Sequence, residues 1–400
     1  MMEANTHPDH GKALDAADRE VFAVSSTQDV LDFLAACPRH RVTPLHDMPA
    51  LAGSIGVETL HVKDESGRLG LGSFKALGGA YAVIRLVLEE AERQLGRKIP
   101  HAALRDPEVQ TIAKTFTVAC ATDGNHGRSV AAGARLVGCR ANIFVHEGVD
   151  QERVDAIAKF GAAMIRVPGT YDDAVAEAER VSLQENWTIV SDTSWPGYER
   201  VAGLVMQGYT AMVAEILDGI PALPTHIFLQ AGVGGFAAAV GAALSVRLGE
   251  RCPKIVIVEP DRAACLLASH RAGALTKIQH GEPTVMAMLE CYEPSMVAWR
   301  ILSRLADAFM TVTDHQGVAA MRVLAYPRGG DPAIEAGESG GAGLAGLMAT
   351  AADERARAAI GLDATSRVLL INTEGATAPA TYRKLIGSPL AELEAATCRR

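Results

Sequence analysis

Through most of the chain, short runs of β-branched and aliphatic residues alternate with longer Ala- and Leu-rich stretches. The first 40 residues or so are polar, and within them Ser26–Ala35 (STQDVLDFLA) predicts a helix. Ser26 or Thr27 would cap it, and Val30, Leu31, Phe33 and Leu34 form its apolar face. Strands are then predicted over Phe116–Ala121, Ala141–Val145, Ala163–Val167, His226–Gln230, Lys254–Val258 and Arg367–Ile371. Helices are predicted over Arg128–Val137, Gln151–Phe160, Asp172–Glu185 and Gly235–Arg247. Strands alternating with helices of ten residues or more mean βαβ units and a mostly parallel sheet. The predicted class is therefore α/β, and 400 residues call for two domains rather than one core.

Composition narrows the function. The net charge of −9, with no basic run beyond Arg399 and Arg400, excludes a binder of nucleic-acid backbone. No stretch reaches the roughly 18 apolar residues of a membrane span, and the first 20 residues lack the apolar core of a signal peptide, so a cytoplasmic protein is expected. Seven cysteines without a CxxC pair read as reduced thiols, with a Cys265–Cys291 bridge as the alternative. Neither HExxH nor a Cys/His cluster occurs, so no metal site is expected.

Ligands in parallel α/β folds sit beyond the carboxyl ends of strands. Four such places carry chemistry. In Gly72-Ser73-Phe74-Lys75, a lysine among glycines and apolar residues is either a helix-start lysine reaching solvent or a buried amine made available for covalent chemistry. Thr122-Asp123-Gly124-Asn125-His126-Gly127 turns at its glycines into a helix, whose free N–H groups suit a carboxylate. An Asp/Asn helix cap is the plainer reading. Gly232-Val233-Gly234-Gly235, between a strand and an apolar helix, is a phosphate loop. It also fits G-x-G-x-x-A through Ala237, with Glu259 placed for a ribose hydroxyl, so a nicotinamide enzyme stays open here. Asn372-Thr373-Glu374-Gly375 could be a plain turn, or could set a hydroxyl at a buried ring nitrogen. Lysine, carboxylate loop, phosphate loop and hydroxyl together are what a pyridoxal-phosphate enzyme needs. A dehydrogenase accounts for the third alone.

These segments resemble the fold-type-II pyridoxal-phosphate enzymes: GSFKALGG is similar to the Ser-Phe-Lys motif of the threonine and serine dehydratases, and TDGNHG and QAGVGG to their substrate and phosphate loops. The nearer resemblance is to the diaminopropionate ammonia-lyases, through KDESGRLGLGSFKALGG, SDTSWPGYERV, VEPDRAAC, HGEPTVMAML, GESGGAGL and INTEGATAPATYRK. The resemblance implies two domains, each a mostly parallel twisted sheet flanked by helices, over residues 1–78 plus 206–400 and 79–205. It implies pyridoxal 5′-phosphate anchored on Lys75, its phosphate on Gly232, Val233, Gly234 and Gly235, and its 3′-oxygen near Asn125. Thr373 would face the ring nitrogen, with Asn372 the alternative. Thr122, Gly124 and His126 would bind the substrate carboxylate. Asp123 stands where the dehydratases carry serine, and a carboxylate there could take the Cα proton or hold a β-ammonium. Asp192 is the second such candidate. The implied reaction is α,β-elimination of D- or L-2,3-diaminopropionate through aminoacrylate to pyruvate and two ammonia, in a homodimer, with a serine/threonine-type dehydratase as the alternative. Glu338, Trp195, Tyr198 and His280 are weaker candidates, for ring contact, lid and turn.

Overall fold

The computed structural model describes residues 2–122 and 124–387. Eleven strands are present among them: β1 (Met2–Ala4), β2 (Leu45–Asp47), β3 (Thr59–Asp64), β4 (Thr117–Ala121), β5 (Arg140–His146), β6 (Ala163–Val167), β7 (Thr188–Ile189), β8 (His226–Gln230), β9 (Lys254–Pro260), β10 (Ala308–Val312) and β11 (Arg367–Asn372). Seven form one sheet in the order β1-β10-β9-β8-β11-β3-β2. Its five central strands run parallel, and only the short edge strands β1 and β2 are antiparallel. Four form a second, wholly parallel sheet, β6-β5-β4-β7. Strands β8 and β11 are almost continuously buried, because helices cover both faces, and this is why they read as unbroken apolar runs. The longest helix has 21 residues, and among the described residues no helix is long and apolar enough to cross a membrane.

The predicted central strands are present. The first helix differs: it spans Val24–Ala35, and neither Ser26 nor Thr27 caps it. The Thr27 hydroxyl bonds back to the Ala23 carbonyl inside the helix, and that of Ser26 goes to the Glu20 carbonyl. Strand β1, in a segment read as polar, forms because the chain is pinned just beyond it. The Asn5 side-chain amide donates to the carbonyls of Ser303 and Ala306, and its backbone N–H to Asp307.

Two packing devices set the position of Lys75, the first residue of the helix Lys75–Leu95. That helix crosses Arg200–Gly208 glycine to glycine. A Cβ on Gly78 would come within 2.6 Å of the Val205 carbonyl oxygen, and one on Gly208 within 2.6 Å of that of Leu77. The second device is a buried ionic cluster beneath the preceding loop. The Arg68 guanidinium is fully buried and donates to both oxygens of Glu65 and of Glu215 at 2.7 Å. Lys63 donates to Glu215 and to the Thr43 carbonyl, also at 2.7 Å, and the Thr43 hydroxyl donates to Glu65. Two cations and two anions balance only as a set. Replacing Glu215 by Gln leaves Arg68 and Lys63 with one carboxylate, and breaking a buried pair costs about 3–5 kcal/mol. The urea midpoint of Glu215→Gln should fall accordingly; an unchanged midpoint would mean the cluster does not hold the fold.

Candidate active site

The loops that follow β3, β4, β7, β8 and β11 converge on a cavity of about 790 Å³ between the two sheets. Its walls include Lys75, Thr122, Gly124, Asn125, His126, Asp192, the run Gly232–Gly235, Thr373 and Glu374. The four strand-end segments singled out in the sequence therefore meet in one space, together with Asp192. Asp123, Cys398 and the Arg399–Arg400 pair lie outside the described residues.

Lys75 donates from Nζ to Asp192 Oδ2. Burial disfavours its ammonium, but the charge of Asp192 and this hydrogen bond outweigh burial and hold the lysine above its ordinary pKa. Asp192 is subject to the same balance: burial alone would raise its carboxyl, while the charge of Lys75 and its hydrogen bond pull it well below the usual carboxylate range. The segment that carries Asp192 is braced by Tyr198, whose hydroxyl donates to the Ile189 carbonyl and accepts from the Ser191 N–H. Trp195 lines the cavity and stacks on Tyr198, with ring centroids 4.1 Å apart.

On the β4 side, the helix Asn125–Val137 has Gly124 at its N-cap, and Thr122 supplies a side-chain acceptor to its first turn. The Thr122 hydroxyl accepts from the N–H of Gly124 and of Gly127, which spends its acceptor capacity and leaves its proton for an acceptor in the cavity. Gly127 is helical rather than a turn residue, and a Cβ there would run into the Thr122 side chain. Asn125 donates to Glu374 Oε2 at 2.7 Å. Burial, then the charge of nearby Glu338, pushes the Glu374 carboxyl up. Glu338 is itself buried, lies 4.0 Å from the Arg153 guanidinium and does not line the cavity.

The β8 and β11 loops fit a phosphorylated pyridine. Gly234 has φ of +94°, a left-handed backbone that favours glycine. A Cβ on Gly232 would come within 2.8 Å of Cys291 Sγ, so the main chain must be bare to lie under the 289–291 segment. The first N–H groups of the helix Gly235–Leu248 have no intrahelical acceptors and face an anion's natural seat. Thr373 Oγ1 accepts from Gln230 Nε2 at 2.9 Å, so its proton is free for a ring nitrogen that lacks one. Asn372, the alternative, donates instead to Asp64 and to the Glu335 carbonyl and does not line the cavity.

The dinucleotide reading fails here. Glu259 is fully buried and outside the cavity, and its two oxygens accept from the N–H groups of Leu266 and Leu267 at 2.8 Å. It caps the helix Cys265–Ala272 rather than meeting a ribose. Cys265 and Cys291 form no disulfide; the thiol of Cys265 points to the Gly232 carbonyl at 3.7 Å. His280 packs against Tyr292 with its ring tilted by 33° and, like Lys277, lies beside Asp172 in the cavity wall.

Some contributors went unnoticed in the sequence. The Gln230 amide nitrogen lies 2.9 Å from Thr373 Oγ1 and from the carbonyls of Gly340 and Ile371, and shares its two hydrogens among the three. Gln230 was detectable as the polar residue that ends a buried strand, two positions before the glycine loop. The Val190 carbonyl, which fixes the His126 ring, left no signal in residue types.

A family model described as "Pyridoxal-phosphate dependent enzyme" matches residues 37–374. The diaminopropionate ammonia-lyase of Salmonella typhimurium is 36% identical over 374 residues, covering 90% of this chain and 91% of the relative. A crystal structure of the Escherichia coli diaminopropionate ammonia-lyase with D-serine superposes with a TM-score of 0.86 at 34% identity, covering 96% of each chain. Another of that enzyme, described as holding an aminoacrylate-PLP azomethine reaction intermediate, gives 0.85 with the same identity and coverage.

Proposed function

This chain belongs to the pyridoxal-phosphate-dependent enzymes, and from that membership we propose that it is an ammonia-lyase acting on 2,3-diaminopropionate. The observation that carries the reading is the convergence of Lys75, the Gly232–Gly235 loop, Thr373 and Asp192 on one cavity. With one water, the reaction gives pyruvate and two ammonia, and aminoacrylate is the species released. Both enantiomers are proposed as substrates.

Pyridoxal phosphate, when bound, supplies an electron sink for the pair left as the Cα–H bond breaks. Lys75 would hold it, the glycine loop would seat its phosphate, and Asn125 and Thr373 would meet its ring oxygen and nitrogen. The chain's own groups do the rest. Glu374 orients Asn125 through their hydrogen bond, and Gln230 turns the Thr373 proton inward. Thr122, Gly124 and the amides that open the helix at Asn125 are suited to the substrate carboxylate. Asp192 offers a carboxylate to the substrate's side-chain ammonium. Lys75, once neutral, is a base for the Cα proton on one face. Asp123 is proposed as the base for the other face, on the identity of the residue alone.

The two sheets support a division into 1–78 plus 206–400 and 79–205. A cytoplasmic homodimer is part of the proposal, on the family resemblance and on the prevalence of twofold symmetry; light scattering tests it.

The deciding experiment is an assay of pyruvate and ammonia on a panel of β-substituted amino acids. Two ammonia per pyruvate are expected from 2,3-diaminopropionate, at a rate well above that with serine. One ammonia per pyruvate, with serine or threonine preferred, would make the chain a dehydratase.

A further inference from the structure

We infer that the imidazole of His126 and the carboxylate of Asp192 form a two-acceptor receptor for the side-chain ammonium of a diamino acid, which makes His126 a specificity-determining residue. The inference rests on the proposed ammonia-lyase activity and extends it to a residue first read as part of the carboxylate loop.

The argument begins at the Val190 carbonyl. It can only accept, and it lies 2.7 Å from His126 Nε2, so Nε2 carries the ring proton. The ring is buried, and burial, opposed by the charge of Asp192, pulls its pKa below the ordinary value and keeps it neutral. Nδ1 is then a bare lone pair. It is buried and has no hydrogen-bond partner. An acceptor of this kind cannot bind a carboxylate; it requires a donor.

Asp192 Oδ2 lies 4.0 Å from His126 Nδ1. Two acceptors face each other with no proton between them. Lys75 serves Asp192 and leaves Nδ1 without a donor. A nitrogen about 2.8 Å from both atoms would subtend an angle of roughly 90°, which is open to two N–H bonds of a tetrahedral ammonium. A hydroxyl has one proton and leaves one of the two acceptors unmet, which is costly in a buried site.

The charge of the pair suits the leaving group as well. As the Cβ–N bond breaks, its electrons go to nitrogen, and ammonia departs neutral with its three hydrogens, while the Cα–H electrons form the double bond. A second carboxylate would bind the ammonium more tightly than the neutral ammonia and so oppose departure. A neutral imidazole directs the group without that cost.

The test compares the wild-type holoenzyme with His126→Gln and His126→Asn. Gln can still donate to the Val190 carbonyl from the Nε2 position but lacks Nδ1. Asn places an amide oxygen near Nδ1. Binding of 2,3-diaminopropionate and of serine is read from cofactor absorbance at equilibrium, and turnover is read from pyruvate. His126→Gln should lower the diaminopropionate-to-serine ratio of affinity, and of kcat/KM, at least tenfold, chiefly through KM. His126→Asn should stay within about threefold of the wild-type ratio. Equal losses on both substrates in His126→Gln would reduce the histidine to a brace for Val190 and overturn the inference. So would a wild type that binds serine as well as the diamino acid. A wild type that prefers the diamino acid in binding but yields no pyruvate would instead remove the proposed reaction and leave the receptor standing.

Discussion

Lys75→Ala should lower kcat by about 10³-fold or more and abolish the near-visible absorbance of the loaded enzyme, because both depend on a covalent bond that only this amine is placed to make. Lys75 opens its helix at the cavity wall, where its amine meets Asp192. Its placement is over-determined. The Gly78–Gly208 crossing fixes the helix, and the backbone pairings of Phe74 with Thr373 and of Gly375 with Gly72 fix the residues before it. Lys75→Arg should fail almost as completely, since a guanidinium does not lose its proton at working pH. Absorbance spectroscopy and a pyruvate assay read the two effects separately. A variant that keeps the absorbance band would move the anchoring role to another lysine. Lys277 is the other lysine of the cavity wall, and it is spent on Asp172 and Glu293.

How far the sequence reached depended on whether the deciding contacts were local. The central strands are buried on both faces, so their apolar runs are marked in composition alone, and β8, β9 and β11 were legible. The edge strands were not. Met2–Ala4 owes its pairing to Asn5 and to carbonyls some 300 positions away, which no local pattern encodes. The helix from Val24 likewise begins without a side-chain cap, so the search for a capping residue placed its start two residues late.

The site followed the same rule. Each glycine-bearing loop was visible at its strand end, because a turn and a close backbone approach need glycine itself. The glycines could not choose between a pyridoxal phosphate and a dinucleotide. The other three segments favoured pyridoxal phosphate, and the dinucleotide's one support, Glu259, suited a ribose by spacing but is consumed by two helix amides. Roles held between side chains far apart in sequence, such as Gln230 on Thr373 and Asn125 on Glu374, appear only when the fold brings them together.

Asp192→Asn should act in two opposite directions, and both follow from the charge balance at Lys75. In the wild type, burial pushes the lysine toward the neutral amine, and the carboxylate of Asp192 reverses that push. The asparagine keeps the size of the side chain and removes its charge, so burial acts with little opposition and the pKa of Lys75 falls. Neutral amine is the form that bonds to an aldehyde. Apoenzyme carrying Asp192→Asn should therefore take up pyridoxal phosphate at lower pH than the wild type, which stopped-flow absorbance can follow. The same change deprives the substrate's ammonium of its anion. A buried charge-assisted hydrogen bond contributes about 1.5–3 kcal/mol, and losing it lowers kcat/KM for 2,3-diaminopropionate by roughly 10- to 100-fold. Serine, which carries no second ammonium, should lose much less. Faster loading with poorer diamine turnover is a combination that simple disruption of the cavity cannot produce, because a distorted site would slow both. If loading slows together with turnover, Asp192 is needed to shape the cavity, and its charge is not what the site uses.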